Sequence, residues 1–202
     1  MTGIKLVHLN VLVDEIGEDA AKSYLSLYSC PSNPDVEGFL KHKAIEFAKQ
    51  GLSQTHLVLM PYKGAPVLAG YFTLANKYIT VSSKNLSSTL KRRVKKFSIY
   101  DNRIKAYCLS APLIAQLGKN YSNGYNKLIS GDDLLAIASD KVKSVQFDLG
   151  GRFAYVECED KPALIEFYRR NSFYEFDSRH IDKDETELEG TRLIQLLKYM
   201  KR

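Results

Sequence analysis

The chain has 202 residues, enough to bury a substantial hydrophobic core within one domain. A hydrophobic content of 45% with 26% charged residues is typical of a folded globular protein and excludes a disordered one. No apolar run approaches the roughly 18 residues that a membrane-spanning helix needs. The first residues lack the apolar stretch of a secretory signal. We therefore expect a cytoplasmic protein that does not act at a membrane.

The net charge is +6 and the isoelectric point is near 9.1, which favours an anionic partner. A cofactor with phosphates, a nucleic acid or an acidic protein would each fit, and the positive charge is concentrated in residues 91–96. Cys30, Cys108 and Cys158 are widely spaced and form no metal-type doublet. This spacing predicts reduced, buried thiols rather than a disulfide or a metal site.

The first fifty residues predict a strand followed by two helices. Residues 4–13 alternate between apolar and polar, as in a half-buried strand. The acidic stretch from Asp14 to Asp19 is typical of a helix start. Residues 28–34 contain two prolines and predict a loop. Asp35 is then predicted to cap a second helix that Gly51 ends.

Strands are predicted to resume after this helix. Residues 55–75 read as an antiparallel hairpin with its turn between Tyr62 and Pro66. Residues 79–82 prolong the second strand or start another. Residues 83–105 are polar and basic, and a helix is predicted around Leu86 to Phe97.

The second half alternates strands with helices. An apolar strand at 112–118 enters a turn-rich loop at 119–127, which meets a helix that opens at Ser130. A strand from Phe153 to Glu159 precedes a short helix that ends near Phe173.

The C-terminal segment predicts two further strands. They lie at 173–177 and from Leu193 to Tyr199, and a polar acidic connection joins them. Strands and helices that alternate around a mixed sheet predict an α/β or α+β fold.

The loop at 119–127 can bind an anion. Unpaired backbone N–H groups and the positive end of the helix dipole converge at a helix start, which suits a pyrophosphate. Gly124 permits a positive φ, so the loop can direct several N–H groups at one anion. Lys119 and Lys127 would add positive charge, and Ser130 would cap the helix or bind a phosphate oxygen. An ordinary turn with an ordinary serine cap remains the alternative.

These elements and residues resemble the acetyl-coenzyme A core of the GCN5-related N-acetyltransferases (GNAT family). Residues 167–173 are similar to the family signature Phe-Tyr-x-x-x-Gly-Phe, with Ser172 in place of the glycine. Gly131 with the two leucines after Asp133 resembles the end of the family's Gln/Arg-x-x-Gly-x-Gly loop. Asn126 and Ile129 depart from that motif.

The resemblance implies a GNAT-like mixed, mainly antiparallel central sheet flanked by helices, with acetyl-CoA as the cofactor. The strand before the loop, the loop and the helix start would hold the cofactor, and Lys161 takes the place of a frequent family asparagine. The predicted cofactor-binding residues are Gln116, Leu117, Gly118, Lys119, Gly124, Tyr125, Asn126, Lys127, Ser130, Gly131 and Lys161.

The resemblance assigns Tyr168 the role of proton donor to the leaving thiolate. A phenol with a pKa near 10 can act as this acid beside a sulfur anion. Packing of Tyr168 in the core is the alternative. Glu157 and Glu159 share one face of their strand and are candidate bases that act through water. Carboxylates on an exposed sheet face would need no such role.

A narrower resemblance covers residues 29–40, 53–59 and 70–74, which look like the N-terminal half of the toxin-type GNAT acetyltransferases. It implies the free amine of aminoacyl-tRNA as one acceptor and an antitoxin protein as one partner. A homodimer is a separate expectation, which the resemblance does not carry. A basic cluster would contact tRNA phosphates. Its residues are Lys91, Arg92, Arg93, Lys95 and Lys96. A solvated helix face is the alternative.

The sequence therefore predicts one domain over residues 1–202, with the acceptor side in 1–110 and the acetyl-CoA core and C-terminal strands in 111–202. The predicted function is acetyl transfer from acetyl-CoA to a primary amine. Two alternatives remain. A degenerate GNAT fold would act as a non-catalytic binding or regulatory module, and a plain nucleic-acid-binding domain would bind RNA without a cofactor.

Overall fold

The structure is a computed structural model that describes residues 3–82, 84, 86–182 and 188–201. The helices are α1 (Leu9–Ile16), α2 (Glu18–Ser26), α3 (Pro34–Gly38), α4 (Ala44–Lys49), α5 (Ser88–Phe97), α6 (Gly131–Leu149) and α7 (Pro162–Arg170). The strands are β1 (Lys5–His8), β2 (Gln54–Tyr62), β3 (Ala65–Val81), β4 (Ile99–Asp101), β5 (Ala106–Lys119), β6 (Phe153–Glu159), β7 (Tyr174–His180) and β8 (Arg192–Tyr199).

The strands form a sheet in the order β1-β2-β3-β5-β6-β8-β7, and β4 pairs with β5. The pairing of β5 with β6 is parallel, whereas β2 is antiparallel to β1 and β3, and β8 is antiparallel to β6 and β7. The predicted mixed, mainly antiparallel sheet is confirmed. The β2–β3 hairpin closes through Lys63 and Gly64, both with positive φ, as the twist of a two-residue turn requires.

The strand predicted over residues 4–13 is too long. β1 ends at His8, and α1 begins at Leu9. Leu9, Leu12, Val13 and Ile16 recur at helical spacing, and this period prevails over the apparent alternation. Leu9 is fully buried, and Leu12 and Val13 pack against the same core, which fixes this stretch as a helix.

The predicted cap at Asp35 is also wrong. Asn33 is the N-cap of α3, because its Oδ1 accepts a hydrogen bond from the N–H of Val36 at 3.1 Å. Pro34 then occupies the first helical turn, where a missing N–H costs nothing. A π-helical turn (Phe39–Lys43) connects α3 to α4.

Three other boundaries differ from the sequence prediction. β5 begins at Ala106 rather than Pro112, because its first residues pair with β4. The segment 83–105 therefore contains a short strand in addition to its helix. β7 continues to His180 because it pairs with β8 over its length. Most of the predicted acidic connection, residues 183–187, lies outside the described residues.

The chain divides into two compact units. The first contains residues 1–75 and 115–138, and the second contains residues 76–114 and 139–202. The core of the first unit is formed by Leu9, Ala21, Leu25, Tyr28, Cys30, Val36, Phe39, Leu40, Ala44, Ile45, Leu57, Leu68 and Tyr71. The Tyr71 hydroxyl donates to the Val36 carbonyl at 2.5 Å and so fixes α3 on β3.

The second unit buries aromatic and aliphatic residues from β6, β7 and β8. The ring centroids of Phe153 and Tyr199 lie 5.7 Å apart, and those of Tyr155 and Phe176 lie 5.9 Å apart. Phe153, at the start of β6, stands opposite Tyr199 at the end of β8. Among the residues that the structure describes, no helix has both the length and the apolar character needed to cross a bilayer.

Candidate active site

The predicted cofactor strand ends in the first unit. The Gln116 amide donates to Asp35 Oδ2 at 2.9 Å. Gly118 lies under Tyr28 and Val36, and a Cβ at this position would fall 2.4 Å from both side chains. The Lys119 ammonium donates to the Asn126 carbonyl at 3.3 Å. These contacts engage the side chains of Gln116 and Lys119 within the protein.

The parallel ladder of β5 with β6 is short. Within the described residues, the Cα register of these strands has one pair, Leu113 with Tyr155. Residues 115–118 of β5 come after this pair, so their peptide groups on that edge lie outside the ladder. Peptide groups in this condition are suited to hydrogen bonds with an extended amide-bearing ligand.

Asn120 anchors the loop, a role that sequence reasoning missed. Its side chain is 3% exposed. Its Oδ1 accepts hydrogen bonds from the N–H of Ser29 at 3.1 Å and of Ser122 at 3.0 Å, and its Nδ2 donates to the Leu68 carbonyl at 2.9 Å. A polar residue directly after an apolar strand was the available signal, but its partners lie far away in sequence.

The loop continues as a short 3₁₀ segment (Ser122–Lys127) with two successive left-handed residues. Asn123 has φ 52° and Gly124 has φ 74°, so the positive φ predicted for Gly124 is present. Tyr125 packs its ring 5.3 Å from that of Tyr62, and Lys127 is exposed. Turns of this kind direct backbone N–H groups towards one side, which is the arrangement that binds anions.

The helix α6 starts as predicted. Ser130 Oγ accepts the N–H of Asp133 at 3.0 Å and donates to its carboxylate at 2.6 Å. The first bond of the helix runs from Leu134 N–H to the Ser130 carbonyl at 3.1 Å. The N–H of Gly131 precedes that bond and adds to the positive end of the helix dipole. The loop and the helix start therefore fit a diphosphate through backbone donors.

The predicted catalytic residues belong to the second unit. Among them, Glu157 lies in a hydrogen-bonded network. Its carboxylate accepts from Arg179 at 2.8 Å, from Gln195 at 2.9 Å and from the Tyr155 hydroxyl. Burial raises the pKa of Glu157, but the hydrogen bonds from Arg179, Tyr155 and Gln195 outweigh it and hold the pKa below its usual value. The side chain is thus ionised, and its lone pairs are largely engaged.

Arg179 and Gln195 were missed because β7 and β8 bring them to β6 from distant points in the sequence. Glu159 is 9% exposed and accepts the N–H of Glu189 at 2.8 Å. The Lys161 ammonium lies 3.0 Å from the Glu159 carboxylate and 2.8 Å from that of Glu189. Glu189 and then Glu159 raise the pKa of Lys161. Lys161, predicted to bind cofactor, thus holds together β6 and the segment before β8.

Tyr168 lies near the end of α7 and is 8% exposed. The helix closes with hydrogen bonds from Ser172 N–H to the Arg169 carbonyl at 2.9 Å and from Phe173 N–H to the Tyr168 carbonyl at 3.0 Å. Ser172 has φ 66°, which is the left-handed position where glycine is usual. Burial and then Cys158 raise the pKa of the Tyr168 phenol. The phenol therefore keeps its proton at neutral pH.

The predicted nucleic-acid-binding residues lie on α5. Leu90 and Val94 form its buried face, and Ser87 caps its start. Four of the basic side chains are exposed, namely Lys91, Arg92, Lys95 and Lys96. Arg93 differs, because its guanidinium carbon lies 4.6 Å from the centroid of the Tyr199 ring.

The three cysteines are free, buried thiols. Burial, followed by Glu175, Asp160 and Glu159, raises the pKa of the Cys158 thiol to about 12. A thiol of this kind is a core residue, not a nucleophile. In the described part of the chain, no group of three His, Cys, Asp or Glu side chains could hold a metal ion.

No family model and no curated protein matches the chain. Its fold matches solved structures over nearly its whole length. A tyrosine-to-phenylalanine variant of KacT matches with a TM-score of 0.61 at 15% identity, over 96% of this chain and 94% of that one. AtaT complexed with acetyl-methionyl-tRNAfMet matches with a TM-score of 0.61 at 16% identity, over 95% and 93%.

AtaTR bound with AcCoA matches with a TM-score of 0.57 at 14% identity, over 98% of this chain and 94% of that one. At such identities the likeness establishes the fold and nothing more. The chain therefore shares the fold of the KacT and AtaT structures, and the predicted α/β fold with a mixed, mainly antiparallel sheet flanked by helices is confirmed.

Proposed function

We propose that the protein is an acetyl-CoA-dependent N-acetyltransferase that acts on a primary amine, with the free amine of an aminoacyl-tRNA as the acceptor. The observation that carries this proposal is the loop of the first unit, where two left-handed residues lead to the start of α6. The fold shared with AtaT, solved with acetyl-methionyl-tRNAfMet, and with AtaTR, solved with AcCoA, supports the donor and the acceptor.

The diphosphate would be held by backbone N–H groups between Tyr125 and Gly131, with Lys127 as the exposed cation. The N–H groups of Gly124 and Leu128 already donate to the carbonyls of Tyr121 and Tyr125. The extended arm would bind the peptide groups of Gln116, Leu117 and Gly118. Acetyl-CoA, when bound, supplies an acetyl group activated as a thioester. An N–H group near Leu117 would stabilise negative charge on the thioester oxygen as the amine attacks.

Two proton movements complete the transfer. The amine must lose a proton, and Glu157 or Glu159 would accept it through water. The departing sulfur gains a proton, which the Tyr168 Oη would donate. The Tyr168 phenol is protonated at neutral pH, as this step requires, and the burial that raises its pKa also makes it a weaker acid. The electron pair of the broken C–S bond leaves with the sulfur, and the new bond is a C–N amide.

The acceptor and protein partners follow from charge and fold. The exposed cations on α5 would contact tRNA phosphates, so binding should weaken as salt is added. AtaT has been solved with the C-terminus of the antitoxin AtaR, which supports an antitoxin as a partner class. A homodimer stays a prediction.

The decisive experiment is thiol release from acetyl-CoA with methionyl-tRNA, free methionine and peptide amines as acceptors. We expect Tyr168→Phe to lower kcat by about 10² to 10⁴ without changing the affinity for coenzyme A, since it removes only a proton donor. Tyr78→Phe, which removes the hydroxyl of an exposed tyrosine, is the matched control. Full turnover by Tyr168→Phe would contradict the acid role, and no turnover with any amine would contradict the enzyme.

The hydrogen bonds that Glu157 already accepts favour a second candidate function. In it, a degenerate GNAT fold acts as a non-catalytic binding or regulatory module. The Glu157 carboxylate accepts three side-chain donors and has little capacity left to take up a proton. Calorimetry with coenzyme A separates the two candidate functions. The non-catalytic candidate predicts no saturable binding of coenzyme A, because the loop departs from the GNAT motif at Asn126 and Ile129.

A further inference from the structure

A cavity of about 620 Å³ lies in the second unit. This volume is within the range of roughly 300–1,000 Å³ that small-molecule sites occupy. The walls come from the start of α5, from α6, from the α7–β7 junction and from the end of β8. The lining residues that carry the argument are Arg93, Lys143, Lys198, Lys201, Tyr174 and Ser87.

Within the part of the chain that the structure describes, the cavity is lined by four cations and by no aspartate or glutamate. Lys143 is paired with Asp140 at 2.7 Å. Among the residues that the structure describes, Arg93, Lys198 and Lys201 form no ion pair. Like charges that share one concave surface raise its potential and attract anions. The unbalanced charge therefore points to an anionic ligand.

Aromatic rings hold two of these cations in place. The Arg93 guanidinium carbon lies 4.6 Å from the centroid of the Tyr199 ring, and the Lys198 ammonium lies 5.1 Å from that of Phe173. Cation–π contacts fix the position of a cation without neutralising it. Lys198 is half-buried, and burial followed by Lys143 lowers its pKa, with Asp140 opposing.

Hydroxyl groups and an exposed ring define the ligand further. Ser87 Oγ accepts the N–H of Leu90 at 3.3 Å, so its own proton is available to a phosphate oxygen. Tyr174 is 50% exposed, and its ring can stack on a flat heterocycle. Cations, hydroxyls and an exposed aromatic ring together match a phosphate joined to a nucleobase.

We propose that this cavity binds a phosphorylated nucleotide, with its phosphate among Arg93, Lys143, Lys198 and Lys201 and its base against Tyr174. With a free nucleotide as ligand the site is additional to the proposed transferase function, whereas with an RNA strand it extends the proposed tRNA contacts of α5 and rests on that function. Lys198 pairs with Ala154 near the start of β6, whereas Glu159 ends that strand five residues further on, roughly 17 Å away at about 3.3 Å per residue. The ligand is either a free nucleotide or a nucleotide of an RNA strand.

The test is calorimetry on the full chain with ADP, with coenzyme A already present at saturation. Lys198→Met should weaken ADP binding by about tenfold to a hundredfold, the effect of losing a charged hydrogen bond. Lys141→Met removes the same charge from α6 at a residue that does not line the cavity, and should change binding by less than about twofold. Thermal unfolding of each variant reports whether it is folded.

The outcomes separate this site from the predicted cofactor site. ADP binding that persists beside coenzyme A and depends on Lys198 supports the nucleotide cavity. If coenzyme A abolishes ADP binding and Lys198→Met leaves it intact, ADP binds at the loop of residues 119–130 before α6 (the α6 loop), and the proposal is overturned. The proposal is also overturned if ADP does not bind at all. If coenzyme A does not bind but ADP binding still depends on Lys198, the proposed transferase function is contradicted and the nucleotide site is supported.

A second arm identifies the source of the nucleotide. An RNA tetranucleotide with a 5′-phosphate is titrated alongside its unphosphorylated form. Tighter binding of the phosphorylated RNA than of ADP, lost in Lys198→Met, assigns the cavity to an RNA strand. Tighter binding of ADP assigns it to a free nucleotide. Equal binding of both RNA forms contradicts a role for the phosphate.

Discussion

The α6 loop in the first unit and the cationic cavity in the second satisfy their polar groups in opposite ways. In the loop, Asn120, Lys119 and Ser130 hydrogen-bond to nearby protein groups. In the cavity, the charged groups of Arg93 and Lys198 lie against aromatic rings, and within the described residues they form no ion pair. The loop would therefore recognise an anion through its backbone, and the cavity would do so through charged side chains. Substitutions in the loop should change stability first, whereas those in the cavity should change binding first.

The largest stability effect is expected at Gly118. A Cβ there would meet Tyr28 Oη and Val36 Cγ1 at 2.4 Å, and neither neighbour is the far end of a flexible side chain. Gly118→Ala should therefore lower the free energy of unfolding by about 3 kcal/mol, the upper part of the usual cost of overpacking. Gly124→Ala meets no atom within 4 Å and should cost only about 1 kcal/mol for its positive φ. Urea denaturation measures both, and equal losses would contradict the packing role of Gly118.

Substitution of Asn120 tests whether its side-chain hydrogen bonds fix the conformation of the loop. Asn120→Ala removes two acceptor contacts and one donor contact and leaves the N–H groups of Ser29 and Ser122 without their partner. We expect a loss of about 2 kcal/mol in the free energy of unfolding. Asn126→Ala, in the same loop, is the control and should cost less than about 0.5 kcal/mol. If both variants unfold at the same urea concentration, Asn120 does not anchor the loop.

Ser172 offers a stabilising change at the edge of the cavity. Its φ of 66° lies in the left-handed region, which costs a residue with a Cβ roughly 1–2 kcal/mol. Ser172→Gly should therefore raise the free energy of unfolding, by about 1 kcal/mol after the added flexibility of the unfolded chain is counted. Thermal and urea unfolding measure the gain. A loss of stability would show that the Ser172 side chain has a structural role of its own.

The smallest expected effect depends on pH. Burial, together with Lys143, lowers the pKa of Lys198 in the folded state, so the unfolded chain binds this proton more tightly. The contribution of Lys198 to the free energy of unfolding therefore increases as the pH rises from the pKa of Lys198 in the folded protein to the ordinary lysine pKa near 10.4. Lys198→Met should be more stable than wild type at pH 7, and the difference should narrow by pH 10.

Lys141→Met serves as the control for net charge in that measurement. A difference between Lys198→Met and wild type that stays constant from pH 7 to pH 10, or that Lys141→Met shares, would contradict this assignment. Urea unfolding at several pH values provides the data.

Local sequence signals predicted the elements around both regions. The strand from Phe153 to Glu159 and the Ser130 cap follow from short-range patterns, and both were found where expected. The error at Leu9 arose because a few apolar residues fit a strand period and a helix period equally well. The cap at Asn33 was misassigned to Asp35, because both side chains can cap a helix and Pro34 lies between them.

The cavity could not be predicted in this way. Arg93, Lys143 and Lys198 lie on α5, α6 and β8, and each alone reads as a surface cation. Their proximity is a property of the sheet order, which places β8 beside β6. The same holds for Glu157, whose partners Arg179 and Gln195 come from β7 and β8.

The buried cysteines have a practical consequence for the transferase assay. Cys30, Cys108 and Cys158 are each less than a tenth exposed, and the Cys158 thiol is protonated at neutral pH. A colorimetric disulfide reagent reacts with thiolate, so the folded enzyme should contribute almost no background colour. Any absorbance that grows with time can then be attributed to released coenzyme A, even at micromolar enzyme. A dye-reactive cysteine placed on the surface would likewise be the one that is labelled.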